Sequence, residues 1–592
     1  MKRQRILAGA LFLTLLMLSL IAGLSAAQGP HPPRPLAPQV MPGTGFTYQG
    51  RLNSGGEPVN DDCQMAFRLY ADAGGSIELG AITETVTITE GLFSVVLNEG
   101  GEFGTAAFAG HARWLGIRVK CSGDSAFTDL GEQALTPAPM ALSLPGLWTE
   151  QNSTSPNLIG GYAGSEITGG AVGATIGGGG QMNEINQVGA DFGAIGGGRG
   201  NSVLGTDAVV AGGWDNIADG VADAVGGGEA NWAYGGHSTI AGGQDNVVSA
   251  THGTVAGGMG NIITSFGDYA FIGGGQQNDA GGIYATIGGG TTNMAGGVYA
   301  SVGGGLHNQA MYSYTTIAGG YDNYADGNAS SIGGGENSRA IGGHSAIAGG
   351  QDHVVSATHG TVAGGKGNTI DYGGEYAAIG GGQGNSTNAQ HATVAGGWDN
   401  FAGGNRSSIG GGEANNAYSA HSTIGGGQDN VAAASHSTIP GGFAAGASHY
   451  GEMAYASGSF ASTGDAQTSI YVLRATTATS ETRELFLDGT SLRITIPQSR
   501  TVTFDILIAA AAENGDVAGW EYRGLIAHTS VTGTFIVGTP SSDNWATTGA
   551  AGWTATHYAD NTNHALTIHV RCNSDRIVRW VATVRTVELD MP

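Results

Sequence analysis

Histidine and tyrosine recur at one register through the middle of this sequence: His237, His252, Tyr269, Tyr284, Tyr299, Tyr314, His344, His359, Tyr376, His391, His421 and His436. Imidazoles repeated in this way hold a metal or an anion where several converge, and they change charge near pH 6. His237, His252, His344 and His359 are the metal-ligand candidates, each meeting its equivalents from two other chains in a three-fold ring. Without any chemistry the same column is a ladder of like side chains stacked one above another, which stabilises the stack; that structural role is the expectation. A second column carries Asp215, Asp245, Asp322, Asp352, Asp399 and Asp429. Carboxylates in a row can bridge calcium, but aspartate is also an ordinary corner residue, and the corner role is expected here.

No reaction is spelled out by these residues. A Ser/Lys dyad of the kind that cleaves fibre precursors is excluded after Lys366, the last lysine in the chain. Glu229, Glu336 and Glu413 occur singly, whereas glycoside cleavage needs converging carboxylates. We therefore expect no catalytic residue and no cofactor, with a polysaccharide-degrading β-helix enzyme as the alternative.

The element that positions both columns is a glycine-punctuated repeat. A phrase of Ile or Val, Gly or Ala, then two Gly opens at seventeen positions from Ile176 to Ile424 and closes with Pro440 in its second place at Ile439; fourteen of the seventeen intervals between these eighteen marks are 15 residues. His237-Ser-Thr-Ile-Ala-Gly-Gly-Gln-Asp returns 107 residues later as His344-Ser-Ala-Ile-Ala-Gly-Gly-Gln-Asp, so blocks were duplicated. Within the phrase, residues alternate as on a strand, which puts Ile on the inner face and Thr with Tyr or His on the other. Gly turns the chain, and the Asn that recurs six residues after most of these marks suits a second corner. Helix is disfavoured by the Gly content, and collagen by the spacing. The reading is all-β: a parallel β-roll or β-helix solenoid of about 15-residue rungs, with Ile240, Ile272, Ile287, Ile317, Ile347, Ile409 and Ile424 inside. So small a rung buries little apolar area, which predicts a homotrimer in which neighbouring stacks cover one another.

The phrase Tyr-Ala-Thr-Ile-Gly-Gly-Gly with its Asn/Ala return resembles the head repeats of trimeric autotransporter adhesins. The resemblance implies a trimeric β-roll that binds host or surface ligands.

Two different textures flank the repeat and give the fold its two β-sandwich-like ends. Residues 44–147 alternate in short strands such as Phe46-Thr-Tyr-Gln-Gly-Arg-Leu52 and Trp114-Leu-Gly-Ile-Arg-Val119. With Leu135-Thr-Pro-Ala-Pro139, they are similar to an N-terminal module of exported bacterial repeat proteins. Cys63 and Cys121 lie here, either as a disulfide or as two separate buried thiols. Residues 446–592, after a shaft spanning 158–442, form the third domain, and Cys572 has no partner in this scheme. The segment Ala456-Ser-Gly-Ser-Phe-Ala-Ser-Thr-Gly-Asp-Ala-Gln467 and the ending Arg579-Trp-Val-Ala-Thr-Val-Arg585 resemble a C-terminal module of phage tail-fibre and virion proteins, which implies a tip or a trimerisation head.

Residues 1–27 read as a signal peptide, with Lys2, Arg3 and Arg5 before an apolar run and Ser25-Ala26-Ala27 after it. Residues 28–43 are a Pro-rich linker. The expected product is secreted or displayed on the cell surface, with no membrane span after cleavage. The formal net charge of −25 becomes −28 on loss of that segment, and such a surface repels nucleic acid. The expected function is adhesion or structural display, with a glycan or surface protein as partner.

Overall fold

The computed structural model describes residues 45–592 apart from 105–106, 109–111, 136–145 and 574–575. The expected signal peptide, the Pro-rich linker and the Leu135–Pro139 closure lie wholly or almost wholly outside the described residues. The chain divides into two compact units, 1–145 and 146–592.

In the first unit an antiparallel sheet runs in the order Glu78–Ile88, Asp61–Tyr70, Arg113–Lys120, Thr128–Leu135, and Phe46–Arg51 pairs separately with Leu92–Leu97. Asp61–Tyr70 alternates as far as Leu69, turning Cys63, Met65, Phe67 and Leu69 inward to a core shared with Phe93, Leu97, Phe103 and Leu115.

The second unit begins with the solenoid. Each rung carries two two-residue strands, as in Thr286–Ile287 and Met294–Ala295. Equivalent strands of successive rungs pair in parallel, which gives one ribbon from Asn157–Gly160 to Thr438–Ile439 and a 19-stranded second ribbon from Glu166–Ile167 to Gly446–Ala447. A third line of single parallel bridges, from Arg199 through Trp214 to Phe443, marks the remaining side. Ile240, Ile272, Ile287, Ile317, Ile347, Ile409 and Ile424 all lie in one continuous core at no more than 1 % exposure.

Asparagine sits elsewhere than the sequence suggested. The Asn column is not a corner but an interior ladder, fully buried from Asn186 to Asn323 apart from 1 % at Asn293. From Asn201 to Asn323 each side-chain amide donates to the Oδ1 of the Asn one rung earlier at 2.9–3.3 Å, and also to two glycine carbonyls, as Asn308 does to Gly304 O and Gly320 O. The reason is the satisfaction of buried polar groups. A 15-residue coil cannot pair all its own carbonyls, and a carboxamide carries both the donors and the acceptor needed to close the account at every level. The third glycine of each phrase is set by this ladder. At Gly305, φ is +92°, and a Cβ there would collide with the Gly320 carbonyl of the next rung and with Asn308 Nδ2.

One rung therefore fills its own interior. Ala285, Ile287, Asn293 and Ala295 are all at most 1 % exposed within the single chain. The Asn ladder, and not extra apolar area from neighbouring stacks, completes the core of each rung.

After the last rung, Met453–Ser457 pairs in parallel with the solenoid and antiparallel with Ala466–Thr477. A long antiparallel sheet continues through Val578–Asp590, Arg500–Ala512, Val517–Thr529 and Gly533–Ala546. Ala565–Arg571, with Arg483–Glu484, Ile494–Thr495 and Thr554–Asp560, makes a smaller sheet. Trp520, Trp553 and Trp580 belong to one buried core in this region, where Trp580 Nε1 donates to Thr477 Oγ1 at 2.9 Å.

Candidate functional site: the ring ladder and the junction cluster

The His/Tyr column does not lie on a strand face. All twelve residues occupy a corner with φ between +54° and +61°, a region that side chains with a Cβ rarely enter. The corner is held by the backbone: Tyr299 N–H donates to Ile283 O of the previous rung at 2.9 Å, and Ala300 N–H closes the turn onto Gly297 O at 3.0 Å. Each ring is thereby projected outward, directly above the next.

The rings stack in three runs, 237–314, 344–391 and 421–436, with centroids 4.6–5.3 Å apart and planes within 17° of parallel. His237 stacks on His252 and His344 on His359, each at 5.0 Å. Parallel rings point their in-plane lone pairs side by side, whereas a tetrahedral ion needs donors that converge at about 2.0–2.1 Å. A single chain thus offers a pair of imidazoles at each place, and a metal there would need further donors from another chain. Among the described residues, the one group of three possible ligands within reach of a single ion is Asp61, Cys63 and Cys121. Two of these are joined: Cys63 and Cys121 form a disulfide, with Cα atoms 4.0 Å apart. Cys572 is a buried thiol outside the disulfide, and it donates to Thr479 O at 3.0 Å.

The aspartate column occupies the other left-handed corner, with φ from +55° to +60° at Asp215, Asp245, Asp322, Asp352, Asp399 and Asp429. Its members follow the bridge line and precede the buried ladder residue, Asn in every case but His353 after Asp352, and they hold the position that the sequence reading had assigned to Asn itself.

The densest set of ionisable groups was not foreseen. Glu452 and Glu588, 136 positions apart in sequence, both accept from Tyr471 Oη, at 3.1 and 3.0 Å. Ser469 Oγ donates to Glu452 at 2.7 Å and Thr586 Oγ1 to Glu588 at 2.7 Å. Each carboxylate has its own basic partner, His449 Nδ1 at 3.1 Å from Glu452 and Arg500 Nη1 at 3.1 Å from Glu588. Burial pushes the Glu452 carboxyl up, but the hydrogen bonds and charge of His449 and the Ser469 hydroxyl outweigh it, so the group titrates below its ordinary value. Burial and the two neighbouring carboxylates push the Tyr471 phenol well up. Glu452, Tyr471 and Glu588 are at most 5 % exposed. The cluster can lock the last rung to the long sheet, and it presents no carboxylate to a substrate. Only its spatial closure reveals it, since no spacing links 452, 471 and 588.

The class that this geometry defines is a parallel β-solenoid with an interior asparagine ladder and an exterior ring ladder. In comparisons with known proteins, residues 47–137 match a domain of unknown function (DUF8740). No curated protein matches the chain. Among solved structures, the tailspike protein of Acinetobacter baumannii phage AM24 aligns over 66 % of this chain and 78 % of its own, with 8 % identity and a TM-score of 0.16. A score that low supports no argument from the tailspike to this protein.

Proposed function

We propose that this protein is a secreted or cell-surface fibre, non-enzymatic, that acts in adhesion or structural display. The observation that carries this reading is the regularity of the solenoid surface. Its outward positions repeat rung after rung, and its strongest ionisable cluster is sealed inside. A repeating surface suits a repeating or extended ligand, such as a glycan or a surface protein, better than a single reacting bond. Export, with cleavage after Ala27, belongs to the same reading and draws on the N-terminal sequence. Assembly as a homotrimer is part of it too. It is supported by large side chains that the second ribbon turns outward, among them Trp232 at 37 % and Ile262 at 41 % exposure.

The test is a glycan array probed with the full secreted chain, run beside a reducing-end release assay on every glycan that binds. Binding without release supports the proposal. Release that persists after purification to homogeneity overturns it in favour of a polysaccharide-degrading enzyme. Light scattering gives the subunit number independently, and a monomer would remove the trimer while leaving adhesion standing.

A further inference from the structure

The ring ladder is broken at Ala329, and the break has the dimensions of a site. Tyr314 lies one rung before it and His344 one rung after. Ala329 holds the same corner, with φ +56°, and its N–H donates to Ser313 O at 2.9 Å, just as the ring-bearing corners donate. The backbone therefore continues unchanged and only the ring is missing. Since neighbouring strands stand about 4.8 Å apart, Tyr314 and His344 face one another across about 10 Å. That width admits one planar group, which would lie from each wall at the ladder's own spacing, and it admits no second one. Tyr314 is the most exposed tyrosine of its run, at 60 %, against 45 % for Tyr284 and 48 % for Tyr299, as expected of a ring with one uncovered face.

This notch occurs at a single place in the ladder. Ala222 is the copy of Ala329 in the block duplication, 107 residues earlier, but the corner before it is Asp207, so no ring closes its far side. The other interior break, between His391 and His421, carries Arg406 at the same corner with φ +58°. There the chain itself supplies a planar cation.

We propose that the Ala329 notch is a binding site for one guanidinium group, an arginine side chain of a partner, inserted between Tyr314 and His344. Three observations select a guanidinium over a neutral ring. The phenol face attracts cations, and guanidinium stacks flat on such faces where ammonium cannot. The chain has a formal net charge of −25, which draws a cationic partner. Arg406 stands where the ladder has its other interior break. The inference does not depend on the adhesive reading, since an arginine could be presented by any protein surface, including a second copy of this chain.

The experiment is saturation-transfer NMR on the full chain, with acetyl-Gly-Arg-Gly-amide as probe and the Lys and Tyr peptides beside it. The expected result is transfer to the Arg side chain in the wild type and its loss in Ala329→Tyr, which completes the ladder. Ala222→Tyr serves as the control and keeps the transfer. Both variants place Tyr at a φ that Tyr269, Tyr284, Tyr299 and Tyr314 already adopt, so folding is preserved. Transfer to Arg that survives Ala329→Tyr overturns the site. Equal transfer to Lys, or transfer to Tyr in place of Arg, overturns the guanidinium assignment. Absence of transfer to all three peptides overturns the proposal as a whole.

Discussion

Removing one asparagine from the interior ladder tests the physical claim on which the solenoid rests. In Asn308→Ala the side chain loses five hydrogen bonds. These are the three that Nδ2 donates, to Asn293 Oδ1 at 3.2 Å and to Gly304 O and Gly320 O at 2.9 Å each, and the two that Oδ1 accepts, from Asn323 N at 3.2 Å and Asn323 Nδ2 at 3.1 Å. Their consequences differ. Gly320 O still accepts Leu306 N–H, and Asn293 Oδ1 still accepts the backbone N–H of residue 308. Asn323 Nδ2 keeps its two glycine carbonyls. The buried backbone N–H of Asn323 keeps nothing. One orphaned buried donor costs about 1–3 kcal/mol, and each replaceable bond nets about 0.5–1.5 kcal/mol or less where water reaches it, so the loss expected is about 2–5 kcal/mol. Urea unfolding followed by circular dichroism, with hydrogen exchange at the Asn323 amide as local readout, measures it. Asn308→Ser should recover part of the loss, because Ser338 already occupies a ladder position and its Oγ accepts His353 N–H at 3.4 Å. A loss below about 1 kcal/mol for Asn308→Ala, with Asn323 still protected, would refute the idea that the ladder is what satisfies the rung interior.

Three further outcomes are expected. Glu452 titrates below 4.5 in the folded state, so its contribution is complete above that value and is lost as pH falls through the lower folded one. Glu452→Gln should flatten that acid limb and cost about 2–3 kcal/mol at pH 7, read by thermal melting. Removing the Cys63–Cys121 bond, which closes a separation of 58 residues, should destabilise the N-terminal unit by about 4 kcal/mol in the loop-entropy account, read by unfolding with and without reductant. His353→Asn should stabilise the solenoid, most of all at low pH. Burial lowers the imidazole from its ordinary 6.5, so the unfolded chain takes the proton first and wild-type stability falls as pH drops below 6.5, whereas the variant's should not.

Much of this architecture was legible in the repeat. The 15-residue interval and the Ile marks gave the rung and its inner face, because an apolar β-branched residue beside glycine has one place to go in so small a coil. Asparagine was misplaced for a physical reason: left-handed corners and carboxamide ladders favour the same residue. What separates them is the residue before it. That position holds Asp215, Ala230, Asp245, Gln277, Thr292 and His307, all with positive φ, while the next residue is Asn in every one of these rungs. A corner tolerates variety because its side chain faces water, and an interior ladder does not. The Tyr/His column failed in the opposite sense, since alternation was extended three residues back from Ile although the strand is only two residues long. The junction cluster left no trace in spacing, because its partners come from distant strands and share only a meeting point.

The irregular rungs fall together. The ring column lacks its ring at Ala329, and the ladder column carries Ser338 and His353 in place of Asn, so two consecutive rungs inside the second copy of the duplicated block depart from the pattern and form a seam in the ladder. The hydrogen-bond relay survives the seam in reduced form. Ser338 N–H reaches Asn323 Oδ1 at 3.1 Å, and Asn368 N–H reaches His353 Nδ1 at 3.1 Å, but no interior carboxamide bridges the rungs between 323 and 368, where the one side-chain amide bridge, Asn337 Nδ2 to Asp352 Oδ1 at 2.8 Å, is on the surface. Occupation of Nδ1 by an amide donor also means that a proton added there would face another N–H, so the seam weakens on acidification. A solenoid's stability is close to a sum of neighbouring interfaces, and the interfaces with the fewest bonds open first. The seam is thus where this solenoid should first yield, and the notch beside Ala329 lies in it. An inserted planar group would bridge Tyr314 and His344 across that stretch, so a ligand bound there would stabilise the weakest rungs of the array and leave the rest unchanged.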